Sequence, residues 1–143
     1  NEVIATFDAE GVHVGDAAQT QYGISFRYEP TSKSYFKVRG TYFDNYYSDF
    51  DPLSLNGENT GRESWKIPAY QLIDLHAGYK ISLTPKNKLD IKFSVLNLLH
   101  EIYISDAQNN DPYNANYQDF DAKSAGVFFG LGRRFNISTK INF

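Results

Sequence analysis

Residues 125–143, AGVFFGLGRRFNISTKINF, alternate with a period of two. Stepping back from Phe143 by twos gives Ile141, Thr139, Ile137, Phe135, Arg133, Leu131, Phe129 and Val127, while the residues between them are Asn142, Lys140, Ser138, Asn136, Arg134, Gly132, Gly130, Phe128 and Gly126. Successive side chains of a strand point to opposite faces, so one face is greasy and the other polar or small. A soluble sandwich strand and a membrane-barrel strand both read this way. Length favours the second, because soluble strands run about 3 to 10 residues whereas a barrel wall carries longer ones.

The same period recurs upstream. Residues 19–29 set Tyr22, Ile24, Phe26 and Tyr28 against Gln21, Gly23, Ser25, Arg27 and Glu29. Residues 34–48 set Phe36, Val38, Gly40, Tyr42 and Tyr46 against Tyr35, Lys37, Arg39, Thr41, Asn45 and Tyr47, with Asp44 on the greasy parity, as expected at the outer edge of an apolar band. Residues 70–83 set Ile73, Leu75, Ala77, Tyr79, Ile81 and Leu83 against Asp74, His76, Gly78, Lys80 and Ser82. From residue 89, Leu89, Ile91, Phe93 and Val95 oppose Asp90, Lys92 and Ser94; the parity then slips at Leu96 and Asn97, which predicts a bulge. Residues 1–7 read as the end of a further strand, and the absence of an initial methionine leads us to expect a chain that begins inside a longer protein.

The connections alternate in length. Residues 30–33 and 84–87, each with a proline that presets a turn dihedral and cannot serve a central ladder, are expected to be tight turns. Residues 8–18, 49–69 and 105–124, rich in Gly, Asn and Asp, are expected to be loops. One trimmed rim and one elaborated rim is the plan of an antiparallel up-and-down transmembrane β-barrel, with short periplasmic turns and long extracellular loops. Five or six strands cannot close such a wall, since the smallest membrane barrels use about eight, so residues 1–143 are expected to be its carboxyl-terminal part. No run of about 18 apolar residues exists, which rules out a transmembrane helix and leaves barrel strands untouched, because these are half polar. A net charge of -3 lacks the basic footprint of a nucleic-acid binder.

Three segments together resemble the carboxyl-terminal strands of TonB-dependent outer-membrane receptors, and the spelling, particularly of residues 103–107 (YISDA) and 130–135, is similar to receptors of the Bacteroidetes. They are residues 68–79 (PAYQLIDLHAGY), residues 89–99 followed by Tyr103, and residues 130–135 (GLGRRF) with the terminal Phe143. The resemblance implies a 22-stranded barrel filled by an amino-terminal plug, which imports a scarce solute such as a siderophore, cobalamin, an oligosaccharide or a peptide. It implies a bacterial outer-membrane location and, as partners, outer-membrane lipid, the barrel-assembly machinery, TonB acting through a plug not included in these residues, and a surface lipoprotein. Phe143, Ile141 and Ile137 match the family's terminal signal for barrel assembly.

Individual residues carry weaker signals. His13, His76 and His100 show no short ligand spacing, so neither a metal nor a cofactor is expected. Asp106, Asp111, Asp119 and Asp121 could surround a hard cation, but their spacing is not that of a calcium loop, and solvated loop charge is the better reading. Trp65, Tyr113, Tyr117 and Phe120 are loop aromatics able to stack on a ligand, with packing between loops as the plain alternative. Tyr28, Tyr42, Tyr46 and Phe143 suit the aromatic girdles of a barrel. Arg39, Asp74, His76, Lys80, Arg134 and Lys140 are expected on the wet face, towards a lumen or plug. Arg133 is awkward: it lies on the greasy parity, where a charge at mid-membrane costs about 2 to 4 kcal/mol. No nucleophile and base, paired carboxylates or phosphate loop points to catalysis. A soluble β-sandwich binding module and a plug-less porin or adhesin barrel remain the alternatives.

Overall fold

A computed structural model of the chain describes residues 6, 8–55, 57, 60–109, 122–123 and 125–143. The strands are β1 (Thr20–Thr31), β2 (Ser34–Asp44), β3 (Tyr46–Tyr47), β4 (Lys66–Ile67), β5 (Tyr70–Ser82), β6 (Lys88–Leu96), β7 (Ile104–Asn109), β8 (Ala125–Phe129) and β9 (Arg134–Asn142), with one 3-10 turn at Pro52–Ser54. The fold is all-β with antiparallel sheets. The chain divides into two compact units: a sheet unit of residues 21–42, 70–102 and 131–143, and a loop unit of residues 1–20, 43–69 and 103–130.

The sheet unit is built on five strands in the order β1-β2-β5-β6-β9. Among the described residues this sheet is open, with β1 and β9 at its edges, and no closed barrel forms. The expected strand at residues 1–7 lies outside the described residues except for Thr6. Register sorts the side chains cleanly. Leu75 faces Val95 and then Phe135; Ala77 faces Phe93 and Ile137; Ile81 faces Leu89 and Ile141. A greasy residue thus meets a greasy one across these three rungs, and the remaining rung, Tyr79–Ile91, ends on Thr139. Phe93 and Phe135 stack at 6.4 Å, as do Tyr22 and Tyr42 farther along the same face.

That face has no core over it. Tyr22, Ile24, Phe26, Phe135 and Ile137 are each about two-thirds exposed or more (68%, 79%, 68%, 67% and 71%), and Val95 is the one buried apolar side chain of the sheet. Burying such a side chain is worth roughly 1.5 to 3 kcal/mol, so an apolar sheet face left in water forfeits most of what drives a soluble sheet to fold. The largest fully buried side chains among the described residues, Leu55, Ile67 and Ser48, lie instead in the loop unit. There β3 pairs with β4, β7 pairs with β8, and Asp49 bridges to Gln108.

Residues 105–109, expected in a loop, belong to β7, and three expectations about the strands change. The alternating run 125–143 is two strands: β8 pairs with β7 and β9 pairs with β6, with residues 130–133 between them. Gly130 and Gly132 sit in the break, where a Cβ at Gly130 would overlap the Tyr103 ring and one at Gly132 would press on the His100 ring. The break also leaves Arg133 outside the paired ladder of β9. Arg133 precedes β9, is exposed, and donates its backbone N–H to His100 Nδ1 at 3.2 Å. The second change is at Tyr46, which does not belong to a girdle: it is 7% exposed, sits in β3, and donates its hydroxyl to the Ser105 carbonyl at 2.8 Å. β2 itself stops at Asp44, whose carboxylate meets Lys66 at 2.9 Å.

The third change is at Asn97. The ladder does carry an irregularity here, since Asn97 takes φ +51° and Leu98 N–H donates to the Ile73 carbonyl, opposite which Asn97 would otherwise sit. Alternation is not restored, because the chain turns away. Asn97 is 4% exposed and knots three segments: its N–H donates to Asp74 Oδ1, its Oδ1 accepts from Glu101 N–H, and its Nδ2 donates to the carbonyls of Glu101 (2.9 Å) and Leu131 (3.3 Å). Asparagine tolerates a left-handed backbone that other side chains resist. Asn97→Ala leaves buried partners unsatisfied and is expected to cost about 1 to 3 kcal/mol, read as a lower midpoint in denaturant. A loss below about 0.5 kcal/mol, the level of an ordinary surface change, would refute the role given to Asn97.

Candidate functional site

The polar face of the sheet unit is where the expected wet-face residues meet. Register places Asp74, His76, Lys80, Arg134 and Lys140 on one side of β5, β6 and β9. Arg39 joins them by parity with Tyr35, whose ring covers Gly78 so closely that a Cβ there would overlap it. His76 Nδ1 lies 2.9 Å from Ser94 Oγ, its cross-strand neighbour. Lys80, Asp90 and Lys140 form one row across three strands, and Asn142 Nδ2 donates to Asp90 Oδ2 at 3.3 Å.

Reading residue by residue passed over much of this face. Arg27, Lys37, Lys88, Asp90 and Lys92 share it, although nothing but their parity marked them. The Arg27 guanidinium carbon stands 4.0 Å above the Tyr35 ring while its Nε bonds Glu29 Oε1 at 2.6 Å. A groove of about 360 Å³ opens around Gly78, the one position in the middle of β5 without a side chain, and is lined by Arg27, Tyr35, Lys80, Asp90 and Lys92 among others. This chemistry is suited to holding charge, with hydrogen-bond donors in excess of acceptors.

The loop unit contains a second polar cluster that no local pattern announces. His13 Nδ1 meets Glu63 Oε2 at 2.6 Å, the backbone N–H groups of His13 and Ser64 both donate to Glu63 Oε1 at 3.0 Å, and the His13 ring stacks on Tyr47 at 4.1 Å and 4°. Burial pushes the Glu63 carboxyl up, but the bonds from His13 and Ser64 outweigh it and hold the group below its usual 4.5. Trp65 is half-buried in the adjoining residues and its carbonyl accepts from Ser48 N–H at 2.9 Å. The other expected ligand aromatics, Tyr113, Tyr117 and Phe120, lie outside the described residues, as do Asp111, Asp119 and Asp121. Among the described residues no group of His, Cys, Asp and Glu is arranged to hold a metal. Ile137 and Ile141 lie on the greasy face of β9, and Phe143, 93% exposed, follows its end.

A carboxylate with a depressed pKa stabilises the fold above its unfolded value and loses that contribution as pH falls through the folded one. The His13–Glu63–Tyr47 stack is therefore expected to hold at neutral pH and to loosen below about pH 4.5. Carboxyl carbon shifts of Glu63 followed by NMR should titrate below 4.5, and in His13→Ala the midpoint should move up. An unchanged midpoint in that variant would show that His13 does not hold the carboxylate. No protein-family model, no curated protein and no solved structure matches this chain.

Proposed function

We propose that this chain is wall and loops of an outer-membrane transport barrel of the TonB-dependent kind, which imports a scarce solute. The observation that carries the reading is the uncovered greasy face of five neighbouring antiparallel strands. Hydrocarbon is the environment that such a face fits: the lipid side of a barrel strand is apolar and its other side polar. Lengths agree. The 13 residues of β5 run about 43 Å at about 3.3 Å each, or about 33 Å of height at a tilt near 40°, enough for an apolar band about 25 Å tall. The nine residues of β9 give about 23 Å on the same terms.

Connectivity supports the same reading. Both short turns leave one rim of the sheet and every long excursion leaves the other, as periplasmic turns and extracellular loops would. The mechanism follows from the two faces. Greasy residues anchor the wall in lipid, the polar face lines the interior against a plug that TonB would move, and the loops meet solute outside the cell. Further strands, supplied beyond these five, would close the wall. The barrel-assembly machinery would read Ile137, Ile141 and Phe143, and a surface lipoprotein would act at the loop rim. A soluble sandwich is the poorer reading, because it requires the same greasy residues to be sealed inside protein.

The test sets adjacent residues against each other. Ile137→Lys places a charge on the greasy face and is expected to cost about 2 to 4 kcal/mol when the protein folds into lipid vesicles, whereas Ser138→Lys, one residue on and facing the other way, is expected to cost less than about 1 kcal/mol. Equal costs for the two, or a protein that stays monomeric and folded in buffer without detergent, would overturn the membrane reading.

A further inference from the structure

The two faces of the sheet differ in more than hydropathy. The polar face gathers Arg27, Lys37, Arg39, Lys80, Lys88, Lys92, Arg134 and Lys140, eight of the chain's 14 Lys and Arg, against Glu29, Asp74 and Asp90, three of its 17 Asp and Glu. A chain of net charge -3 thus presents a strongly cationic surface on one side of one sheet. The acids near the groove at Gly78 are already engaged. Glu29 is bonded to Arg27, and Asp90 sits in a row between Lys80 and Lys140 while accepting from Asn142. Among the described residues no ion pair neutralises Lys80 or Lys92.

Like charges brought together on a sheet repel, and placing them without counter-charges costs stability unless an anion joins them. We propose that this groove binds a small multivalent oxyanion, a phosphorylated or polycarboxylate solute, through Arg27, Lys80 and Lys92. Its volume of about 360 Å³ falls within the range of about 300 to 1,000 Å³ typical of small-molecule sites. Arg27 lies over the Tyr35 ring and bonds Glu29 through Nε, which leaves its terminal nitrogens to meet an oxyanion, and the two lysines add point charges. Its place as a station on an import route rests on the transport reading; the binding chemistry does not.

The probe is inorganic pyrophosphate, titrated calorimetrically into the full chain in detergent micelles at low salt. Binding is expected to weaken about tenfold or more in the double variant Lys80→Glu, Lys92→Glu and a few-fold in Lys92→Gln, and to fade as salt is raised. Lys86→Glu, the same change of charge in the 84–87 turn, is expected to leave it within about twofold. Unchanged affinity in both groove variants overturns the site. Capture of poly-glutamate without any binding of pyrophosphate also overturns it, and gives the face to an acidic polypeptide. A chain that is soluble without detergent but still loses pyrophosphate on the charge reversal keeps the site and sinks only the membrane.

Discussion

Everything distinctive in the sheet depends on an uninterrupted main-chain ladder from β5 through β6 to β9. Eight residue pairs join the first two strands and nine join the second two, without a slip from Leu75 to Ser82 or from Lys88 to Leu96. Because side chains alternate, a shift of one residue in any strand would send its greasy set to the charged side. Rows such as Ala77–Phe93–Ile137 and Lys80–Asp90–Lys140 hold that register from both faces. The first row gains from apolar contact, and the second from placing an acid between two bases.

The tyrosine over glycine at Tyr35 and Gly78 links this ladder to the face it displays. A bulky residue in mid-β5 would push the ring aside; glycine lets the Tyr35 ring occupy the space where a side chain would be. The ring then becomes a platform for Arg27. A choice made for strand packing therefore fixes the position of a guanidinium two strands away from Gly78.

Sheet strands were legible because their signal is local: period two, with turn residues near 30–33 and 84–87, can be read without knowing any partner, although β1 runs on through Pro30 to Thr31. Residues 70–83 and 89–96 came out within a residue of β5 and β6. What failed had a non-local cause. The alternation through Gly130 and Gly132 continues on paper, yet the rings of Tyr103 and His100, far back in the chain, take the space where side chains would be. Tyr46 looked like an interfacial aromatic until its partner Ile67 and the carbonyl of Ser105 supplied it with a buried site. His13 and Glu63 stand 50 residues apart, and only tertiary structure brings them together. Of the polar face, parity gave the membership and register gave the rows; the groove needed the missing side chain of Gly78 to be seen in place.

Asn97 sits where the period breaks, and its amide grips the carbonyls of Glu101 and Leu131, the two feet of the long excursion that leaves β6 and returns to β9. A segment fastened at its base transmits little of its own rearrangement to what it stands on. Insertions, deletions or wholesale exchange between those feet can then proceed while β6 and β9 keep their alignment. Such a joint lets the sequence between the feet diverge while the ladder of β6 and β9 keeps its register.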